Sequence, residues 1–254
     1  MNSLSENFRI WEGIQENWPE DRAEEGFRDA KVVERIKEQM QSAIEACRNG
    51  QPNPLTSIYN QYPLPLLIAF LAAEKPVSVL DFGGGLAQTY LATRATVTNL
   101  KNVIYYVLEF GSMARVGRNI FPDDAHVNFI ESFEAAPGSV DIVHAGSSFQ
   151  YVDDWKSLLE RFASLKPRYI AFGNLLAGDI RPCVTFQNYW SHRIPVRFHN
   201  FREVMDVLEE LGYRLIFDAY HEQTILGAKQ PLPLQHFPDE HRLIFGRNVI
   251  LMKS

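Results

Sequence analysis

The sequence predicts an α/β protein built on a doubly wound sheet and preceded by an N-terminal helical cap. Three observations carry this. Apolar, β-branched runs alternate with segments of helical periodicity from Val77 to Leu211. The first of these runs opens directly onto Gly83-Gly84-Gly85, the pattern of a buried strand, a tight turn and the start of a helix. The chain then closes on two consecutive strand-like runs, Tyr213 to His221 and Leu243 to Met252.

Each element follows in order. Residues 1–62 form the cap: they are charged, carry Trp11 and Trp18, and repeat Val33, Ile36, Met40, Ile44 and Cys47 at helical spacing up to a stop at Asn49-Gly50. Gln51-Pro52-Asn53-Pro54 is a linker. Residues 63–254 form the sheet domain, entered through a helix from Tyr62 to Glu74. Strands are expected at 77–81, 103–109, 127–130, 140–145 and 168–172, with helices at 86–94, 111–120 and 155–165. Asn200 and Glu203 make a capping box for a helix from Phe201 to Leu211, which Gly212 closes. The proline-rich connection from Gln223 to Arg242 is long enough to cover a pocket.

Composition bounds the rest. A chain of 254 residues, 46% hydrophobic, suits one α/β domain with an added segment. The net charge of −6 and the scattered lysines and arginines argue against a nucleic-acid partner. No apolar run reaches the roughly 18 residues of a membrane span, and the first residues lack a basic and then apolar signal. Cys47 and Cys183 have no metal-type spacing, so neither a disulfide framework nor a metal site is expected, and a reducing cytoplasm is.

The glycine cluster places a small ligand at the carboxyl end of the first strand, in the crevice of the sheet. A nicotinamide or flavin nucleotide would want a third glycine where Gln88 stands, and would set its pyrophosphate near the Asp81 carboxylate. S-adenosylmethionine has a cationic amino-acid end and no phosphate, so the Asp81-Phe82-Gly83-Gly84-Gly85 pattern suits it better. Glu109 ends the second strand as a carboxylate able to accept from both ribose hydroxyls, which either nucleotide would use.

Taken whole, this order resembles the class I S-adenosylmethionine-dependent methyltransferase fold, a Rossmann-like sheet of seven strands with the last antiparallel. More narrowly it resembles a family of largely uncharacterised bacterial proteins assigned as methyltransferases. The matching residues are Trp11-Glu12, Tyr62-Pro63-Leu64, the run from Val79 to Gly84, Val107-Leu108-Glu109 and the run from Ser147 to Asp154. Two departures stand out. The family continues its loop as glycine-glycine-serine-leucine-glycine where this chain has Gly84-Gly85-Leu86-Ala87. Gly173-Asn174-Leu175-Leu176 also lacks the aspartate-arginine pair expected there.

The resemblance implies methyl transfer to a small-molecule acceptor, with a sugar suggested by the family's surface-polysaccharide context. By topology, Asp81, Gly83, Gly84 and Gly85 should surround the methionine part of the donor and Glu109 the ribose. Ser132 and Phe133, with Glu131, should meet the adenine, while Ala145 and Ser147 lie beneath the transferable methyl. In-line displacement needs the nucleophile about 3 Å from the methyl carbon, and an oxygen nucleophile needs a general base. His192 and His199 flank Ile194-Pro195-Val196, in a loop expected to face the substrate, and are the catalytic candidates. His144 reads as a core residue, and His221, Asp153 and Asp179 are weaker alternatives. Acceptor specificity should reside between Gly173 and Asn200. The competing readings are an NAD(P)-dependent oxidoreductase and a non-catalytic S-adenosylmethionine-binding protein.

Overall fold

The computed structural model describes residues 9–20, 24–49, 63–225 and 228–254. In chain order the strands are β1 (Trp11–Gln15), β2 (Val77–Phe82), β3 (Val103–Leu108), β4 (Val127–Ile130), β5 (Ile142–Gly146), β6 (Tyr169–Leu175), β7 (Ala177–Gly178), β8 (Cys183–Tyr189), β9 (His192–Asn200), β10 (Tyr213–His221), β11 (Gln223–Ile225), β12 (Ala228–Gln230) and β13 (Gly246–Lys253). The helices are α1 (Glu24–Arg28), α2 (Ala30–Arg48), α3 (Leu64–Glu74), α4 (Gln88–Thr96), α5 (Gly111–Ile120), α6 (Trp155–Ser164) and α7 (Phe201–Glu210).

Seven strands make the main sheet in the order β10-β13-β6-β5-β2-β3-β4. Only β13 runs against its neighbours, pairing antiparallel with β10 and β6. This is the Rossmann-like arrangement expected, with its last strand reversed. Helices cover both faces, which is why β2 and β5 are near-continuous apolar runs. One face packs under α2 to α5 through Met40, Ile68, Tyr90 and Ala114, and the other under α6 and α7 through Leu159, Phe162, Val204 and Leu208. The α2 stripe behaves as its spacing predicts: Val33 and Met40 are buried, and Ile36, Ile44 and Cys47 pack against the first of these cores. Asn200 caps α7 by accepting the Glu203 N–H at 3.1 Å. The linker at 51–54, Gly50 and Tyr62 lie outside the described residues.

Two expectations are corrected. The N-terminal segment is not helical throughout, because Trp11–Gln15 is a strand paired antiparallel with β8. Gly13, at φ +75°, breaks any helix there, and Trp11 is buried against Phe198 at 6.1 Å between ring centroids. Residues 192–199, expected as a loop, form one arm of the β8–β9 hairpin. Its β-branched and aromatic residues alternate across a second sheet of order β1-β8-β9-β7. Leu232, Leu234 and Phe237 of the proline-rich connection, and Leu243 just after it, pack into the core of this second sheet with Cys183, Val196 and Phe198. Among the described residues no helix is long and apolar enough to cross a membrane, and no group of His, Cys, Asp and Glu could hold a metal ion. Both cysteines are free.

Candidate functional site

The site begins where β2 ends. The chain turns there through left-handed conformations at Gly83 (φ +62°), Gly85 (φ +58°) and Ala87 (φ +69°) before α4 starts. A Cβ at Gly83 would sit 2.5 Å from Ser148 Cβ, and one at Gly84 2.6 Å from Asp81 Cγ. The loop is therefore pressed onto its own floor, and only glycine fits.

Asp81 is that floor. It is fully buried, and its Oδ1 lies 2.6 Å from His144 Nδ1. The two residues are register partners on the adjacent parallel strands β2 and β5, which sets the imidazole and the carboxylate on one face. Asp81 Oδ2 has no hydrogen-bond partner and lies against Gly84. The carboxylate thus supports the loop from beneath. His144 sits in the core as expected, but with a partner that its apolar surroundings gave no hint of.

Glu109 follows β3 and accepts the Gly85 N–H at 2.8 Å and the Phe110 N–H at 3.0 Å. Burial raises its pKa, the two N–H bonds oppose that rise, and the Asp81 charge adds to it. The ribose carboxylate of the sequence reading is thereby fastened to the glycine loop. Ser132 ends β4 exposed, and Phe133 stacks on Phe82 at 5.9 Å with the Arg161 guanidinium 4.6 Å from its ring. Ala145 is 1% exposed and packs into the core beneath this end of the sheet. Ser147 is exposed, at φ +56°, with its N–H donating to Gly173 O at 2.8 Å.

The two candidate histidines part company. His192 Nε2 lies 2.9 Å from Oδ2 of Asp29, the N-cap of α2, and this bond is the main cause that lowers the Asp29 pKa. Beside it Phe27 packs on Tyr151 (4.9 Å) and Tyr189 (5.2 Å), and the Arg28 guanidinium lies 5.0 Å from the Phe110 ring. The α1–α2 junction therefore bridges the second sheet and the segment next to Glu109. His199 is 2% exposed, held between Phe149 (5.0 Å) and Trp155 (5.3 Å). It belongs to the core, not to a loop facing a substrate, because β9 is covered on both faces there: Phe198 packs into the core of the second sheet and His199 onto Phe149 and Trp155.

Burial, with the Arg197 charge second, pulls the His199 pKa down to about 3. An unfolded histidine takes its proton near pH 6.5, so the stability held above that pH should fall as pH drops toward about 3, by at most about 1.4 kcal/mol per pH unit. His199→Phe is expected to flatten the dependence of Tm on pH across this window. Equal slopes in both proteins would remove His199 from the acid response.

A polar chain at the ends of β5 and β6 was not anticipated. Asn174, at φ +51°, donates from Nδ2 to Ser147 Oγ at 3.0 Å and accepts from Gln223 Nε2 at 2.9 Å. Its N–H donates to Asn248 Oδ1 at 2.9 Å, and Asn248 Nδ2 lies 3.3 Å from His221 Nδ1. Burial lowers the His221 pKa, as does the Lys229 charge, against the bond from Asn248. The available sequence signal was Asn174 itself, a polar residue inside an apolar run, at the place where an aspartate-arginine pair was missing. Asp179 lies apart from the glycine loop, beside a cavity of about 250 Å³ lined also by Asn200, Phe201, Arg202 and Arg247.

Solved structures share this architecture. A methyltransferase from Methanosarcina mazei described as S-adenosylmethionine-dependent superposes with a TM-score of 0.53 at 12% identity, covering 73% of this chain and 96% of that one. An S-adenosylmethionine-dependent methyltransferase from Mesorhizobium loti gives 0.50 at 14%, covering 75% and 97%. A 1,6-didemethyltoxoflavin-N1-methyltransferase from Burkholderia thailandensis, solved with its substrate and S-adenosylhomocysteine, gives 0.50 at 12%, covering 94% and 93%. No protein-family model and no curated sequence matches the chain. The chain has the Rossmann-like fold of the class I S-adenosylmethionine-dependent methyltransferases.

Proposed function

We propose that this chain is an S-adenosylmethionine-dependent methyltransferase acting on a small-molecule acceptor, with oxygen as the atom methylated. The observation that carries the reading is the glycine loop held between two carboxylates, Asp81 beneath Gly84 and Glu109 on the Gly85 N–H. Asp81 suits a cationic methionine end and disfavours the pyrophosphate of a nicotinamide cofactor, while Glu109 suits the ribose diol that both donors carry. Asp81 Oδ2, buried without a partner, fits a site completed by a cation.

S-adenosylmethionine supplies an electrophilic methyl group on a positively charged sulfur. The chain would hold it with the backbone of Gly83, Gly84 and Gly85 along the methionine part and Glu109 on the ribose hydroxyls. Ser132 and Phe133 would border the adenine, and Ser147 the methyl end, with Ala145 buried beneath it. Asp29 fixes one nitrogen of His192, which leaves Nδ1 to take a proton from an acceptor hydroxyl, and the Asp29 charge would stabilise the imidazolium formed. This dyad favours oxygen over nitrogen. The fold alone does not choose the atom, since the Burkholderia enzyme is named for N1 methylation. His199, enclosed by aromatic rings, is assigned to packing. A sugar acceptor rests on the family resemblance, and a cytoplasmic setting on the two free cysteines.

Calorimetric titration with S-adenosylhomocysteine, with NADH as the comparison, tests the donor. Binding of S-adenosylhomocysteine alone is expected, whereas binding of NADH alone would favour an oxidoreductase. Once an acceptor is in hand, His192→Gln should lower kcat by about 100-fold or more without changing S-adenosylhomocysteine affinity. Full turnover in that variant would reject His192 as the base. Failure of the wild type to turn over any acceptor, with the donor product bound, would favour the non-catalytic reading.

A further inference from the structure

We propose that Ser147, Asn174 and Gln223 form an uncharged hydrogen-bonding subsite that receives a neutral, hydroxyl-bearing part of the acceptor. This rests on the methyltransferase reading above and names the substrate class that reading leaves open.

The geometry starts in the sheet. Gly146 and Gly173 are register partners on β5 and β6. The next residue on each strand, Ser147 and Asn174, leaves in a left-handed conformation, at φ +56° and +51°. In regular strands their side chains would stand perpendicular to the sheet. Here they turn toward each other and meet at 3.0 Å. Left-handed backbone is strained for a non-glycine residue, least so for asparagine. Such conformations persist where the surroundings over-determine them, and they cluster at ligand sites. Both backbones are pinned, Ser147 through its N–H to Gly173 O and Asn174 through its N–H to Asn248 Oδ1. Gly246 leaves the room in which the Asn174 carbonyl lies, since a Cβ there would strike Asn174 Oδ1.

The donor and acceptor inventory sets the chemistry. Asn174 Oδ1 is taken by Gln223 and one Nδ2 hydrogen by Ser147. What remains to face a ligand is the Ser147 hydroxyl hydrogen, the second Nδ2 hydrogen of Asn174, and the second Nε2 hydrogen and the carbonyl oxygen of Gln223. Ser147 is exposed, and Asn174 and Gln223 are half-buried, so all three can be reached. Three donors beside a carbonyl acceptor, with no charge on any of them, match hydroxyl groups, which both accept and donate. A carboxylate or phosphate would confront the Gln223 carbonyl without a cation to balance it. The Lys229 charge is felt at His221, on the far side of Asn248.

The test uses ¹⁵N-labelled full-length protein saturated with S-adenosylhomocysteine. Methyl glucoside serves as the neutral probe and glucuronate as its anionic counterpart. The side-chain amide resonances of Asn174 and Gln223 should move with methyl glucoside. Asn174→Gly, which suits the backbone conformation, and Gln223→Ala should each weaken that binding about tenfold, the loss of one hydrogen bond. Their S-adenosylhomocysteine affinity should stay at the wild-type value. Glucuronate binding as tightly as methyl glucoside, amide resonances that do not move, or variants that bind methyl glucoside like the wild type would each overturn the subsite. Failure of the wild type to bind S-adenosylhomocysteine would instead overturn the methyltransferase reading, so the two failures are separate observations.

Discussion

Replacing Glu109 with alanine is expected to weaken S-adenosylhomocysteine binding by about 100-fold. Two charge-assisted hydrogen bonds to a ribose diol contribute roughly 1.5 kcal/mol each at the low end, and about 3 kcal/mol is a little over two decades of affinity. The loss has a second source, because Glu109 also accepts the Gly85 N–H and so holds the loop in shape. Glu109→Gln keeps an acceptor for that N–H and loses the charge, so its affinity should fall between those of the wild type and the alanine variant. Burial raises the Glu109 pKa, so its proton returns at a higher pH than for an exposed glutamate. Binding should therefore weaken as pH falls, and earlier than an ordinary carboxylate would cause. Calorimetry across pH measures both effects. Wild-type affinity in Glu109→Ala would take the ribose contact away from this residue.

The second large effect is on stability. His144→Leu removes the partner of a carboxylate that is fully buried and 2.6 Å away, and breaking a buried pair from one side costs about 3–5 kcal/mol. In a chain of this size that corresponds to a fall in Tm of roughly 10 °C. Asp81→Asn introduced into the His144→Leu background removes the uncompensated charge and should recover part of the loss, so the two substitutions are expected to be non-additive. Because Gly84 rests on Asp81, the single variant should also bind S-adenosylhomocysteine more weakly. Additive costs in the double variant, or an unchanged Tm in His144→Leu, would reduce the pair to two independent core residues.

These expectations rest on contacts of very different sequence separation, and that separation explains how much was legible beforehand. The strands around the glycine loop, the α2 stripe and the Asn200 cap depend on neighbours a few residues away, so local periodicity displays them. β1 was missed because a five-residue strand has no meaning until its partner arrives, and the partner of Trp11 is Gln187. The β9 arm of the hairpin reads as a loop because its histidines and arginines interrupt the apolar pattern. Its inward face became recognisable only against Leu232, Leu234 and Phe237. His199 lies on the opposite face, and its burial there became visible only once Phe149 and Trp155 packed against it.

The site divides along the same line. Residue types and spacing alone determined the sheet, the loop at the end of its first strand and the carboxylate at the end of its second. Each is a local pattern of apolar period, glycine and charge. Tertiary structure alone decided what those groups face. It set Asp81 against His144 across 63 residues, joined Asp29 to His192 across 163, and turned Asn174 toward Ser147 at the mouth of the sheet. A side chain's chemistry is written in its identity. Its partner is set by strand register and by which elements pack together, and those follow from burial of the whole chain.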